Sequence, residues 1–412
     1  MKTRIFFLTG ILLSIFSGLF ASSADSTKAM DSTHVLPYQI TFISPIGTNG
    51  INAMNTTHYL SVNVIAGYNG GVNGIEFGGF ANVLAHDMVG SQFAGFANVV
   101  KGNVKGLQAA GFVNYAHQNS EGIMLAGFSN QSMHSAKVMQ AAGFSNQVIG
   151  SCQGAQFAGF SNFCKDSLTG AQASGFVNFS GGTVTGFQAA GFINITASDL
   201  TGMQISGFAN VAKNVQGTQI SGFINVAKTV KGSQISFINV ADSFEQGVPI
   251  GFLSFVKKGY HTFSIGGNEM GWAEMQFRTG ADKFHNVFAV AINPIPKSSG
   301  WAHGYGVGSK LLNTSQSDIT LDLMAFQVHE NQIFTDAYNA LYRLSARYEF
   351  HPGGKKFAIW GGPSLNLHQY STERFDGTEF ESNLAPSYTL LQQKGTYIHS
   401  NLWFGGQIGI SF

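Results

Sequence analysis

Charge is what this sequence has least of. Asp, Glu, Lys and Arg make up 10% of its 412 residues, where a soluble globular domain carries about 25%. Proline is also scarce, with 8 residues, and cysteine scarcer, with 2. A disordered chain would show high net charge and few aromatics, whereas here 22 basic residues face 21 acidic ones. That balance leaves no electrostatic footprint for nucleic acid, so none is expected as a partner. Eight prolines are too few for collagen. What the chain has instead is 52 Gly and 37 Phe. So much Gly disfavours helices, and the chain reads as all-β with Gly at recurring positions.

The first residues read as an export signal. Lys2 and Arg4 precede an apolar run from Ile5 to Phe20, then Ala21-Ser22-Ser23-Ala24. A charged start, a short apolar stretch and a small-x-small ending describe a signal peptide over residues 1–24, with the mature chain starting at Asp25. The run is shorter than the ~20 residues of a spanning helix.

A repeat occupies the middle of the chain. Gly-Phe-x-Asn recurs with Phe at Phe80, Phe96, Phe112, Phe128, Phe144, Phe160, Phe176, Phe192 and Phe208, always 16 apart, and continues less regularly at Phe223, Phe237 and Phe252. Two residues after each Phe comes Asn: Asn82, Asn98, Asn114, Asn130, Asn146, Asn162, Asn178, Asn194 and Asn210 in the regular units. Four before it comes Gln in most units, with Met124 breaking the series. Ser236 replaces the Gly of one unit, so that Gly reads as a bulge or corner. Between Ile75 and Val256 every charge except Glu76 falls five to nine residues after a Phe. Each unit therefore reads as about ten strand residues, such as Leu107 to Ala116, and a polar turn. The turn often holds an apolar residue, as at Val104, Leu168, Val184 and Leu200.

Two architectures fit this period. In a β-solenoid each unit is one coil, and identical residues stack at ~4.8 Å into Phe and Asn ladders. In one large antiparallel barrel each unit is a strand, and membrane strands have about this length. Constant spacing, the apolar turn residue and an even period favour the solenoid, since membrane barrels alternate short turns with long loops. Against it, the positions three before and one and three after Phe are mostly apolar, which leaves a solenoid with an exposed apolar face.

Strand-like runs flank the repeat. Residues 25–73 include Tyr38 to Ile46 and Tyr59 to Ala66, and residues 257–412 alternate with period two. Tyr342, Leu344, Ala346, Tyr348 and Phe350 share one face, and Arg343, Ser345, Arg347 and Glu349 the other. Eight strands are expected, at 261–266, 271–278, 284–292, 301–308, 318–328, 341–350, 356–367 and 398–412, enough for a small barrel. The polar stretch from Ser371 to Gln393 reads as an extracellular loop. The last strand, apolar at alternate positions and ending in Phe412, resembles the terminal strand of bacterial outer-membrane β-barrels. The mature chain also resembles the surface-repeat proteins of Gram-negative bacteria. That likeness rests on Ile43-Ser44-Pro45-Ile46-Gly47-Thr48-Asn49-Gly50, on Ala66-Gly67-Tyr68-Asn69-Gly70-Gly71 and on the Gln-x-x-Gly-Phe-x-Asn units. It implies an exported, envelope-associated protein and no catalytic residues.

No chemistry-bearing motif emerges. His86 and His134 share a phase but lie three units apart, about 14 Å in a solenoid and too far for one metal ion. The run Gly304-Tyr305-Gly306-Val307-Gly308-Ser309-Lys310 lacks the Walker spacing. Cys152 and Cys164 fall at opposite ends of one turn, either as a disulfide in an oxidising compartment or as two buried thiols. No cofactor, metal or catalytic residue is assigned. The expectation is a non-enzymatic protein of the outer membrane or cell surface, a solenoid of about twelve units followed by antiparallel barrel strands. It would display a regular β surface to an extracellular or envelope ligand, or act as a spacer. The alternative is a porin-like channel.

Overall fold

In the computed structural model the chain is described over residues 34–293, 300–354 and 356–412. The export signal expected over residues 1–24 lies outside the described residues.

The repeats form a parallel β-solenoid, not strands of a barrel. Each residue pairs with its equivalent 16 positions on, Gln92 with Gln108 and Asn98 with Asn114. A coil is two strands rather than one. Val104–Ala110 runs along one sheet and Val113–Ala116 along the other, with Gly111 and Phe112 at the corner between them. The corner demands Gly, because a Cβ on Gly111 would collide with the carbonyl oxygen of Gly95 in the coil before. Val104, Leu168, Val184 and Leu200 are not turn residues but open their long strands, buried to within 2%. They pack in two core clusters that also hold Ala116, Val148 and Cys164.

The coiled stack starts before the Phe repeat. Val35–Ile43 pairs in parallel with Thr57–Asn69, which pairs in parallel with Gly71–Gly78 and Ala81–Leu84. Residues 35–73 are therefore opening coils of the same solenoid. Ile46–Gly47 folds back antiparallel on Thr41 and Ile43, blunting the free edge.

The remaining strands close an antiparallel barrel. They are Tyr260–Asn268, Ala273–Ala281, Phe284–Asn293, Gly300–Asn313, Ser317–Glu330, Asn339–Phe350, Ala358–Ser371 and Ile398–Ser411, and the last pairs back with the first. All eight expected strands are present. A short ninth, Leu391–Lys394, interrupts the stretch expected as loop. It pairs with Leu402 to His399, beyond the reach of Tyr260–Asn268. The connections differ by end. Residues 282–283, 314–316 and 351–357 join strands at the end nearest the solenoid. At the far end the links are 269–272, 331–338 and the long 372–397.

Candidate functional site

Both sheets of the solenoid turn amides inward. From Asn82 to Asn225 each ladder Asn donates through Nδ2 to Oδ1 of the Asn in the next coil, at 2.9–3.2 Å, ending on Asn239. The same nitrogen reaches a backbone carbonyl of the next long strand, Asn146 to Phe157 O at 2.7 Å for instance. The Gln side chains form a second ladder in the opposite sense: each donates to the preceding coil, at 2.7–2.9 Å. A ladder of this kind satisfies buried amides by repetition alone.

The interruptions are as informative as the rungs. At Met124 the Gln ladder fails; Gln108 Oε1 has no partner, and Gln140 turns to Ser132 Oγ at 3.3 Å. At its start the ladder ends on Glu76, the one charge off the repeat's phase. Its carboxylate accepts from Gln92 at 2.8 Å, Asn63 at 3.0 Å and Asn69 at 2.6 Å. Complete burial raises the Glu76 carboxyl above its ordinary range, against the pull of those donors.

Cys152 and Cys164 lie in the interior as unbonded thiols. Burial pushes them up to about 12 and about 11, so neither is a reactive thiolate. His117 and His134 are neighbours at 6.1 Å between rings, with His134 Nδ1 on His117 O.

The outer surface of the solenoid holds the candidate site. The corner Phe rings stack face to face, mostly 4.7–5.1 Å apart, with one 6.1 Å step between Phe223 and Phe237. Alongside runs a second apolar column, three residues before each Phe, with Phe93, Leu125, Phe157 and Ile205 separated by alanines. Beside this second column the small residues before each corner Phe make a floor. The result is a groove of about 1360 Å³ reaching from Phe77 to Gly207. The column three residues before each Phe belongs to the apolar face foreseen from the sequence; the exposure of the Phe rings themselves was not foreseen and follows from their place at the corner. What the repeat alignment missed is the floor: the Gly before each Phe reads as a bulge or corner, but the spacing alone does not show that it and the Ala before it line a groove.

The barrel inverts the usual sidedness. Arg278, Asp322, Arg343, Glu274, Arg347 and Glu349 are buried inside it. They pair as Arg278–Asp322 at 2.7 Å, Arg343–Glu274 at 2.7 Å and Arg347–Glu349 at 2.6 Å. Farther from the solenoid the lumen is filled by Trp403, Met324, Phe326 and Leu341, with Trp272 and Leu384 from the connections. Outward stand Phe263, Phe277, Leu323, Leu344, Phe404 and Ile408, all exposed. Asp318, Glu349 and His351 gather near the solenoid end. Lys310 and Arg347 already hold the two carboxylates, at 2.8 and 2.6 Å, so the cluster reads as an ion-pair network rather than a metal centre.

No protein-family model, curated protein or solved structure matches the chain.

Proposed function

We propose that the chain is a non-enzymatic cell-envelope protein, anchored in an outer membrane by its barrel and offering the solenoid as a regular β surface for binding or as a spacer. The observation that carries this reading is the inverted barrel. Apolar side chains outside and paired charges inside suit a wall bathed in lipid, where an exposed charge costs several kcal/mol at mid-membrane, roughly 2–4 for Arg or Lys. Strands of 9–14 residues are long enough to span. A lumen packed with Trp403, Met324 and Phe326 favours the anchor over the channel alternative.

Membrane barrels carry short turns on the periplasmic side and long loops outside. The short connections, 282–283 and 314–316, lie at the solenoid's end. This favours the solenoid on the inner side of the membrane and the 372–397 stretch outside, which narrows the extracellular or envelope ligand expected from the sequence to one in the envelope. Trypsin on intact cells tests it. Cleavage is expected at Arg374, with the solenoid turn at Lys165 cut only after permeabilisation. Cleavage at Lys165 in intact cells would put the solenoid outside instead, and full solubility without detergent would remove the anchor.

A further inference from the structure

The solenoid is amphipathic across its short axis. One edge carries the stacked Phe rings and the groove. The opposite edge and the strand starts beside it carry every repeat charge except the buried Glu76, as at Lys101, Glu121, Lys165 and Asp199. Several rings of the Phe edge are about 40% exposed, Phe96, Phe160, Phe176 and Phe208 among them. A strip this long needs an apolar neighbour.

The seam with the barrel shows which neighbour. On the barrel wall His261, Thr279 and Asn286 lie side by side in one row, and Phe263, Phe277, Phe288 and Tyr305 in the next row away from the short turns. The last coil sits on the polar row. Asn286 Oδ1 takes the backbone N–H of Ser254 at 2.8 Å, Thr279 donates to Ser254 O at 3.0 Å, and His261 meets Val256 O at 2.6 Å. Phe252, the end of the ring stack, lands on the first apolar row, 4.9 Å from Tyr305 and 5.9 Å from Phe288. The Phe edge thus continues the barrel's outward apolar wall at the level where that wall changes from polar to apolar. Because backbone N–H groups in a parallel stack point along the stack, a Ser254 N–H aimed at the wall means that the solenoid meets the barrel end-on and leaves it sideways.

From this continuity we infer that the solenoid lies along the membrane surface, its Phe edge and groove in the bilayer interface and its charged turns in water. The inference rests on the barrel being the membrane anchor. The occupant of the groove is lipid: acyl chains and glycerol backbones, for which a long, charge-free apolar trough suits and a flat charged face does not.

The test uses the full chain in vesicles of phosphatidylethanolamine and phosphatidylglycerol, with and without a nitroxide on the acyl chain. Single cysteines take a fluorophore at Phe176→Cys on the ring column, at Asp166→Cys in the turn and at Leu344→Cys on the barrel wall. The native thiols are buried and stay unlabelled in the folded parent, which is the control. Lipid nitroxide should quench the Leu344 and Phe176 sites several-fold more than the Asp166 site. Ile205→Cys in the groove wall repeats the readout should Phe176→Cys fail to fold. Quenching at Leu344 with none above the Asp166 level at Phe176 and Ile205 overturns the surface-lying solenoid and leaves the anchor standing. Absence of quenching at Leu344 overturns both.

Discussion

The solenoid and the barrel both hide polar side chains and turn apolar ones outward, yet they fill their interiors with different chemistry. Inside the solenoid the repeating polar groups are neutral amides, with Glu76 at one end of the Gln ladder; inside the barrel they include ion pairs such as Arg278–Asp322. The difference follows from how each sheet repeats. In-register parallel coils set every residue beside the equivalent position of the next coil, about 4.8 Å away, so a repeated residue meets its own kind. Only a self-complementary side chain can hold such a column, and an amide is one because it both donates and accepts. A column of buried carboxylates would repel itself. A closed barrel instead brings strands that do not pair face to face across its lumen, so opposite charges such as Arg278 and Asp322 can meet. In one outer column the charges alternate in sign and are exposed, Lys105 beside Glu121 beside Lys137, whereas the buried Glu76 stands only at the end of a ladder.

The sharpest way to break this contrast is to put a charge into a ladder. Asn146→Asp replaces a donor to Phe157 O and Asn162 Oδ1 by a carboxylate with amides on both sides. The expected loss is about 3–5 kcal/mol, as for an uncompensated buried charge, read from denaturant unfolding in detergent, and no single neighbouring change restores it. In the barrel, Arg278→Met should cost about the same by leaving Asp322 with His285 alone. Here Arg278→Met with Asp322→Leu should recover most of the loss. Equal failure of rescue in both regions would refute the distinction.

A smaller effect, of opposite sign, comes from repairing the ladder. Met124→Gln supplies a donor to the orphaned Gln108 Oε1 and an acceptor to Gln140, for a gain of about 1 kcal/mol. No gain would mean that Ser132 already compensates. The smallest concerns Glu76. Its native carboxyl titrates above the unfolded value, so the folded chain binds that proton more tightly. Its contribution is therefore most favourable at low pH and is lost as pH rises from the unfolded carboxyl range through the raised native value. Glu76→Gln should flatten that part of the Tm-against-pH curve; an unchanged slope would assign it to other groups.

Much of the architecture is legible in the sequence. Period-two alternation locates the closing strands, most plainly from Tyr342 to Phe350, where exposed apolar residues alternate with buried Arg343, Ser345, Arg347 and Glu349. The 16-residue spacing locates the Phe and Asn columns. The two-sheet coil is not legible, since Gly111-Phe112 interrupts what reads as one strand from Leu107 to Ala116 and only the backbone path shows a corner there. The opening coils over 35–73 escape because they lack the Phe clock. Asn63 stands in for the missing rung, donating to Asn82 at 2.8 Å. Glu76 is visible as a charge out of phase, but its task as the ladder's terminal acceptor needs the stack.

That terminal role has a bearing on length. A self-complementary rung hands the next coil the same free donor and acceptor that it received, so only the ends need special partners: Glu76 at the start of the Gln ladder, and Ile250 O, which takes the last Asn ladder donor from Asn239 at 2.8 Å. Coils between them are interchangeable graduations of a ruler. Gaining or losing one 16-residue copy would move the far tip by one step of about 4.8 Å, with every other contact left as it was.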